Sequence, residues 1–138
     1  MNNIYLPKQV RVIAVNRESV DTVLLRLEFI DKKIQKNFAY LPGQFMQIGF
    51  PDWGECPISV CSSPSVAGKY FELAIRDVGQ LTHKLNQMRV GDIAYVRGPF
   101  GNGFDADKFA GKKLVLIGGG CGFVPLRPLI DDAIAGRI

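Results

Sequence analysis

Thr22-Val23-Leu24-Leu25-Arg26-Leu27-Glu28-Phe29-Ile30 sets Val23, Leu25, Leu27 and Phe29 on one side of an extended chain and Leu24, Arg26 and Glu28 on the other. Side chains of a strand alternate between faces, so this stretch reads as a half-buried antiparallel strand with one face against a core. The preceding run, Gln9–Val15, has the same form, with Val10, Val12 and Ala14 alternating with Arg11 and Ile13. Further β-type runs follow at Gln44–Phe50, Ile58–Ser62, Tyr70–Asp77 and Asp92–Gly98. Leu41-Pro42-Gly43, Pro51-Asp52-Trp53-Gly54 and Ser62-Ser63-Pro64-Ser65 separate them with turn chemistry. Short strands punctuated in this way predict a mainly β chain that closes into a barrel.

Between the last two runs, Leu81, Leu85 and Met88 recur at i, i+4 and i+7, which predicts a short helix from near Gly79 to before Gly91, capping one barrel opening. After Gly111-Lys112-Lys113 the periodicity changes. Leu114-Val115-Leu116-Ile117 is continuously apolar, as in a parallel strand covered on both sides, and Val124–Ala135 carries Leu126, Leu129, Ile130 and Ile134 on one helical face. Between them lies Gly118-Gly119-Gly120-Cys121-Gly122-Phe123-Val124-Pro125. A strand feeding a glycine-rich turn and then a helix is how a protein holds a diphosphate: the glycines admit close approach and the helix-start amides donate to an anion. The expected organisation is a barrel over residues 1–110, then residues 111–138 as the first β-α unit of an α/β nucleotide-binding domain. The apolar face of 124–135 is expected to be covered by a packing partner or a second copy of the chain.

Composition narrows the classes. With 138 residues, 47% hydrophobic and 22% charged, the chain is long enough for one domain with a genuine core. Its formal charge of +4 comes from 17 basic and 13 acidic residues with no block of about five like charges, a mixed surface rather than a nucleic-acid arm. Lys32, Lys33 and Lys36 cluster, but the aromatics beside them, Phe38 and Tyr40, read as strand or core residues. No segment reaches the ~20 apolar residues of a membrane span. Met1-Asn2-Asn3-Ile4 begins no signal peptide, so a cytoplasmic protein is expected. Cys56, Cys61 and Cys121 form no C-x-x-C, and His83 is the single histidine, so no metal site and no serine triad is expected.

Several stretches bear on chemistry when taken in order: Pro42-Gly43-Gln44-Phe45; Pro57-Ile58-Ser59-Val60; Ile75-Arg76-Asp77-Val78-Gly79-Gln80-Leu81-Thr82; Gly98-Pro99-Phe100-Gly101; and Gly118–Pro125. Each alone also reads as ordinary structure: a strand end, a helix start, a Pro-Gly turn. Together, and at this spacing, they resemble the ferredoxin-NADP reductase superfamily along the whole chain. The resemblance is to its electron-transfer branch, the dihydroorotate dehydrogenase electron-transfer subunits and the γ subunits of NAD(P)-linked hydrogenases and sulfhydrogenases.

That resemblance implies a six-stranded antiparallel Greek-key barrel binding FAD. Pro57, Ile58, Ser59 and Val60 would lie along the flavin ring, with Ile58 at the stacking position and Ser59, the one residue with a catalytic part, offering its hydroxyl to the ring nitrogen that takes hydride. Gly79, Gln80, Leu81 and Thr82, with Ile75, Arg76 and Val78 before them, would hold the flavin diphosphate. Gly98, Pro99, Phe100 and Gly101 would lead toward the nicotinamide. Gly118, Gly119, Gly120, Gly122 and Pro125 would bind the diphosphate of NAD(P)H in the full-length protein. Many members carry an arginine two residues before the stacking position; here Cys56 stands there, which keeps FMN as the alternative flavin. A [2Fe-2S] centre would belong beyond Ile138, and residues 1–138 alone are expected to be inactive with NAD(P)H.

The implied activity is electron transfer from NAD(P)H through FAD to an iron-sulfur or partner-subunit acceptor. A ferredoxin- or flavodoxin-NADP reductase-type diaphorase is the near alternative. A flavin-free barrel that binds nucleic acid, or serves as an interaction module, is the distant one.

Overall fold

The computed structural model describes residues 3–138, so Met1 and Asn2 of the stretch read for a signal peptide lie outside the described residues. Its strands are β1 (Lys8–Arg17), β2 (Thr22–Phe29), β3 (Phe45–Phe50), β4 (Gly54–Ser59), β5 (Phe71–Arg76) and β6 (Ile93–Phe100). They form one six-stranded sheet in the order β4-β3-β6-β1-β2-β5, every pair antiparallel. Val60, just past β4, bridges Leu73 of β5, and the Cys61 amide donates to the Glu72 carbonyl at 2.9 Å. The two sheet edges therefore meet, and the expected barrel closes.

In β2, Val23, Leu25, Leu27 and Phe29 are buried with Val10, Val12, Met46, Ile48, Phe71, Leu73 and Ile75 in one core, but Leu24 on the opposite face is buried as well, so the alternation is clean only from Leu25 onward. Strand β1 follows its pattern only to Val12. A bulge between Val12 and Ala14 inserts Ile13, and both Ile13 and Ala14 become half-buried. Strand β4 begins at Gly54, earlier than the expected start at Ile58. Pro57 is tolerated there because β4 pairs only with β3, leaving its other edge without a ladder.

Helix α1 (Lys32–Asn37) was not expected from the periodicity. Asp31 caps it, accepting from the amides of Lys33 at 2.8 Å and Ile34 at 3.3 Å. Gln35 then anchors it, accepting from the Phe29 amide at 2.6 Å and donating to the Ala67 carbonyl at 3.0 Å. Phe38 and Tyr40 are buried, so the lysines of this region have no exposed stacking platform beside them. Helix α2 (Gln80–Asn86) lies where expected and packs against β4 and β5.

The C-terminal segment differs from expectation in two ways. Residues 113–119 carry no regular structure, and Val115 and Ile117 are 83% and 88% exposed, so Leu114–Ile117 is not a strand here. A parallel strand needs a neighbour to pair with, and the barrel has joined its own edges. The helix also starts tightly wound: Gly120–Leu126 is a 3-10 stretch that passes into α3 (Arg127–Ile134), as glycines and Pro125 disfavour a regular first turn.

The chain itself covers part of the apolar face of α3. Leu129 is 2% exposed within this chain, while Ile134 faces outward. Two acidic side chains fix the segment to the barrel. Arg127 Nη1 lies 3.4 Å from Glu72 Oε2, and Asp132 accepts from Ser63 Oγ at 2.5 Å and Arg137 Nε at 2.9 Å. Glu72 is itself held by Arg26, at 2.9 and 2.8 Å.

Candidate functional site

The edges of the barrel touch at Val60 and separate on the side of Ser59. The gap forms a groove of about 330 Å3 between Pro57, Ile58 and Ser59 on β4 and Ala74 and Arg76 on β5, with Val78 and Thr82 at one end and Cys121 and Val124 closing over it. That volume lies at the low end of small-molecule sites. Six of the expected residues, Pro57, Ile58, Ser59, Arg76, Val78 and Thr82, line this one groove.

No hydrogen bond occupies the Ser59 hydroxyl among the described residues. It stands in the groove as an available donor and acceptor. Arg76 Nε donates to Asp21 Oδ2 at 2.7 Å. The Asp21 carboxyl is held down at about 2 by its hydrogen bond from Ser19, then by those from Arg76 and Thr22. Arg76 is pushed above its ordinary value, first by the hydrogen bond to Asp21. Its charge is thus fixed at the groove rim.

At the start of α2, Thr82 Oγ1 accepts from the amides of Val78 at 3.0 Å and Gly79 at 2.9 Å and donates to the Gly79 carbonyl at 3.0 Å. Those two amides are therefore committed to Thr82 rather than free for a phosphate. The first-turn amides of Gln80, Leu81 and Thr82 keep no intrahelical acceptor. Gly79 has φ −172, which any residue adopts, and a Cβ there would meet only Thr82 Oγ1 at 4.0 Å. Nothing inside the chain requires glycine at 79, and the space in front of it is open.

Other expected residues stand elsewhere. Val60 and Ile75 are buried in the core, so their side chains do not face the groove; Ile75 presents its carbonyl to Asn86 Nδ2 at 3.0 Å. Leu81 packs against the same core, and Gln80 faces a neighbouring cavity. Gly98, Pro99, Phe100 and Gly101 do not line the groove, but Phe45 pairs with both Ser59 and Phe100, which sets this loop one strand away. Gly98 has φ 129, and a Cβ there would lie 3.0 Å from Met46 Sδ, so packing demands this glycine. Gly118 approaches Phe123 so closely that a Cβ would lie 3.0 Å from its Cα. Gly119, Gly120, Gly122 and Pro125 likewise stay outside the groove wall.

Ala74, Cys121 and Val124 were missed. Ala74 shares the outward face of β5 with Arg76, a signal that alternation carried. Cys121 and Val124 reach the groove only because the Gly118–Pro125 turn folds back onto the barrel, which no local pattern records. Burial pushes the Cys61 thiol up to about 12, and burial also raises Cys56, so both stay neutral. Glu55, next to Cys56, is paired with Arg97, whose hydrogen bond holds its carboxyl below the usual range, and its negative charge adds to the rise at Cys56. All three cysteines are free.

Residues 9–104 match the oxidoreductase FAD-binding domain family. The chain belongs to that family. A sulfhydrogenase 2 subunit gamma of Pyrococcus furiosus is 42% identical over 132 residues, covering 96% of this chain and 45% of the relative. A probable dihydroorotate dehydrogenase B (NAD(+)) electron transfer subunit of Thermoplasma volcanium is 41% identical over 91 residues, covering 66% of this chain and 34% of the relative. The chain thus spans less than half of these curated relatives. Among solved structures, the Amycolatopsis cytochrome P450 reductase superposes with a TM-score of 0.77 at 26% identity, covering 94% of this chain and 39% of that one. A ferredoxin-NADP+ reductase of Plasmodium falciparum gives 0.75 at 17% identity over 95% of this chain and 54% of that one, a likeness of fold. As a member of the FAD-binding domain family, the chain has its groove where the barrel opens, and no described helix is long and apolar enough to cross a membrane.

Proposed function

We propose that this chain is the flavin-binding part of an electron-transfer subunit that carries electrons between NAD(P)H and an iron-sulfur or partner-subunit acceptor through FAD. The observation that carries this reading is one groove that brings an uncommitted Ser59 hydroxyl, an apolar Ile58 wall and the Arg76 charge together, with Val78 and Thr82 from the start of α2 at its end. These residues fit FAD. When bound, the flavin supplies the redox chemistry by accepting hydride and releasing electrons singly or in pairs.

The chain's own residues bind, orient and insulate. Ser59 would offer a hydroxyl to the reactive ring nitrogen, donating or accepting without a change of charge. Arg76 would balance diphosphate charge while Asp21 keeps its guanidinium in place. Cys121 and Val124 would exclude water from the far side of the groove. Residues 1–110 would form the flavin unit, and residues 111–138, with Gly118, Gly119, Gly120, Gly122 and Pro125, would open the NAD(P)H unit. The curated relatives are named as subunits, which supports a partner subunit here; an iron-sulfur partner, a [2Fe-2S] centre outside this chain, a homo-oligomer and a cytoplasmic location complete the proposal.

The test is reconstitution with FAD followed by gel filtration. Flavin absorbance that co-elutes with the protein is expected, and Ser59→Ala should shift the flavin reduction potential while leaving FAD bound. A colourless protein peak after reconstitution overturns the reading.

A further inference from the structure

Glu72 is a buried charge that does not line the flavin groove. It lies between Phe71 and Leu73 on β5, and strand alternation sets it on one face with Ala74 and Arg76, which do line the groove. At 3% exposure it is almost out of water, so its charge needs close partners. Arg26, from the barrel, donates from Nε and Nη2 to Oε1 at 2.9 and 2.8 Å and sits 4.2 Å from the Tyr70 ring centroid. Oε2 lies 3.4 Å from Nη1 of Arg127, which the C-terminal segment supplies.

Helix α3 bridges the two sides of the seam. Arg127 reaches Glu72 on β5, and the same Nη1 lies 4.0 Å from Cys61 Sγ on the chain leaving β4. Further along α3, Asp132 accepts from Ser63 Oγ at 2.5 Å on that departing chain. The two sides gripped in this way meet at Val60 and Leu73 and part at Ser59 and Ala74 to form the groove. Backbone bonds tie the gripped residues to the meeting point, the Cys61 amide donating to the Glu72 carbonyl at 2.9 Å and the Glu72 amide to Ser62 Oγ at 3.0 Å. A grip at the apex of a wedge governs how far its sides part. Val124, three residues before Arg127, closes over the same groove, so release of Arg127 acts on both the walls and the cover.

Release strands no charge. Glu72 keeps Arg26 inside the barrel, Asp132 keeps Arg137 at 2.9 Å inside the segment, and Arg127 keeps Asp131, 3.7 Å away on α3. Ser63 Oγ keeps Ser65 Oγ at 2.8 Å. Breaking a buried ion pair is costly when it leaves one partner alone, and here each side carries its own replacement, which is what a two-state contact requires. We propose that Glu72 and Arg127, with Asp132 and Ser63, are positioning residues for the flavin site: an ionic clasp by which α3 holds the groove closed on bound flavin and sets the rate at which the flavin leaves. The inference rests on the flavin reading and deepens it, extending the flavin site into α3, none of whose residues lines the groove.

Coupling between two sites is reciprocal, so a clasp that retains FAD must itself be tightened by FAD. Hydrogen exchange at α3 amides of the unaltered chain is expected to slow on FAD binding, although α3 does not touch the groove. Release of FAD on dilution, followed by the fluorescence of the free flavin, gives the second reading. Arg127→Leu is expected to release FAD about tenfold faster, the size of one lost contact. Arg26→Leu should act with the opposite sign: it leaves Glu72 with Arg127 alone, so opening the clasp strands a buried carboxylate and FAD leaves more slowly. A network that only stabilises the fold would give both variants the same sign. FAD that binds without slowing exchange in α3, an unchanged release rate in Arg127→Leu, or equal acceleration in both variants overturns the clasp while the flavin groove stands. Failure of the unaltered chain to bind FAD removes the groove reading as well.

Discussion

The barrel and the segment after β6 are held together by different physics. The barrel closes on itself through five antiparallel ladders, the Val60–Leu73 bridge and an apolar core that includes Phe29, Phe71, Leu73 and Ile75, all under 3% exposed. The C-terminal segment has no ladder at all. It rests on Leu129 and on a few polar contacts, among them Arg127 with Glu72 and Asp132 with Ser63. A core distributes its stabilisation over many side chains, whereas a polar latch concentrates it in a few. The segment that closes the groove is therefore the part that opens first.

Breaking the barrel should have the largest effect. Phe71→Ala removes a fully buried ring and is expected to cost about 3–5 kcal/mol in denaturant unfolding. A loss below 1 kcal/mol would mean that the core is not the barrel's main support.

The latch comes next. Asp132→Ala leaves Ser63 and Arg137 without their acceptor and should cost the docking of α3 about 1–3 kcal/mol. Hydrogen exchange is expected to rise at α3 amides and not at those of β2. A uniform rise along the chain would show that barrel and segment unfold as one unit.

Thiol chemistry separates the regions further. Cys121 is exposed while Cys61 is buried with its thiol raised to about 12. An alkylating reagent near neutral pH should label Cys121 at once and Cys61 only on unfolding. The sign for stability follows from the raised value. The unfolded chain ionises Cys61 above its ordinary 9.0 and the folded chain does not, so this contribution is complete below pH 9 and falls as pH rises from there toward 12. Removing the thiol with Cys61→Ala should flatten that alkaline limb.

Acid acts through Asp21 in the opposite direction. Its carboxyl is lowered from 3.8 to about 2, so its contribution is present above pH 4 and disappears as pH falls through that window. Asp21→Asn should remove this part of the acid limb and lower stability at neutral pH by the same amount, a small one since the site is exposed. The smallest effect on folding belongs to Gly79→Ala, expected within ~0.5 kcal/mol because the new Cβ meets open space. Its FAD affinity should nonetheless fall. Unchanged affinity would detach Gly79 from the binding site.

Much of the barrel was legible because period-two alternation is a local property, as Val23, Leu25, Leu27 and Phe29 show. It failed where a long-range contact overrode the pattern. The bulge at Ile13 depends on how β1 pairs with β2, and α1 depends on Gln35 reaching Phe29 and Ala67. The expected strand at Leu114–Ile117 rested on apolarity alone, which says that a segment seeks cover but not whether a neighbour is present. In the site, β4 and α2 were readable because motif and element coincide. Cys121 and Val124 were not, since their place depends on a latch between residues such as Glu72 and Arg127.

The meeting of Val60 with Leu73 has one more consequence. Beyond that point the outer rim of β4 has no strand beside it, and Pro57 interrupts its row of donors midway. On the flavin reading, a coenzyme lodged there would fill the seam as a surrogate strand, and without it the peptide groups of this rim would be open to any extended chain they meet. Handling losses such as precipitation and clumping should therefore track cofactor depletion rather than heat alone.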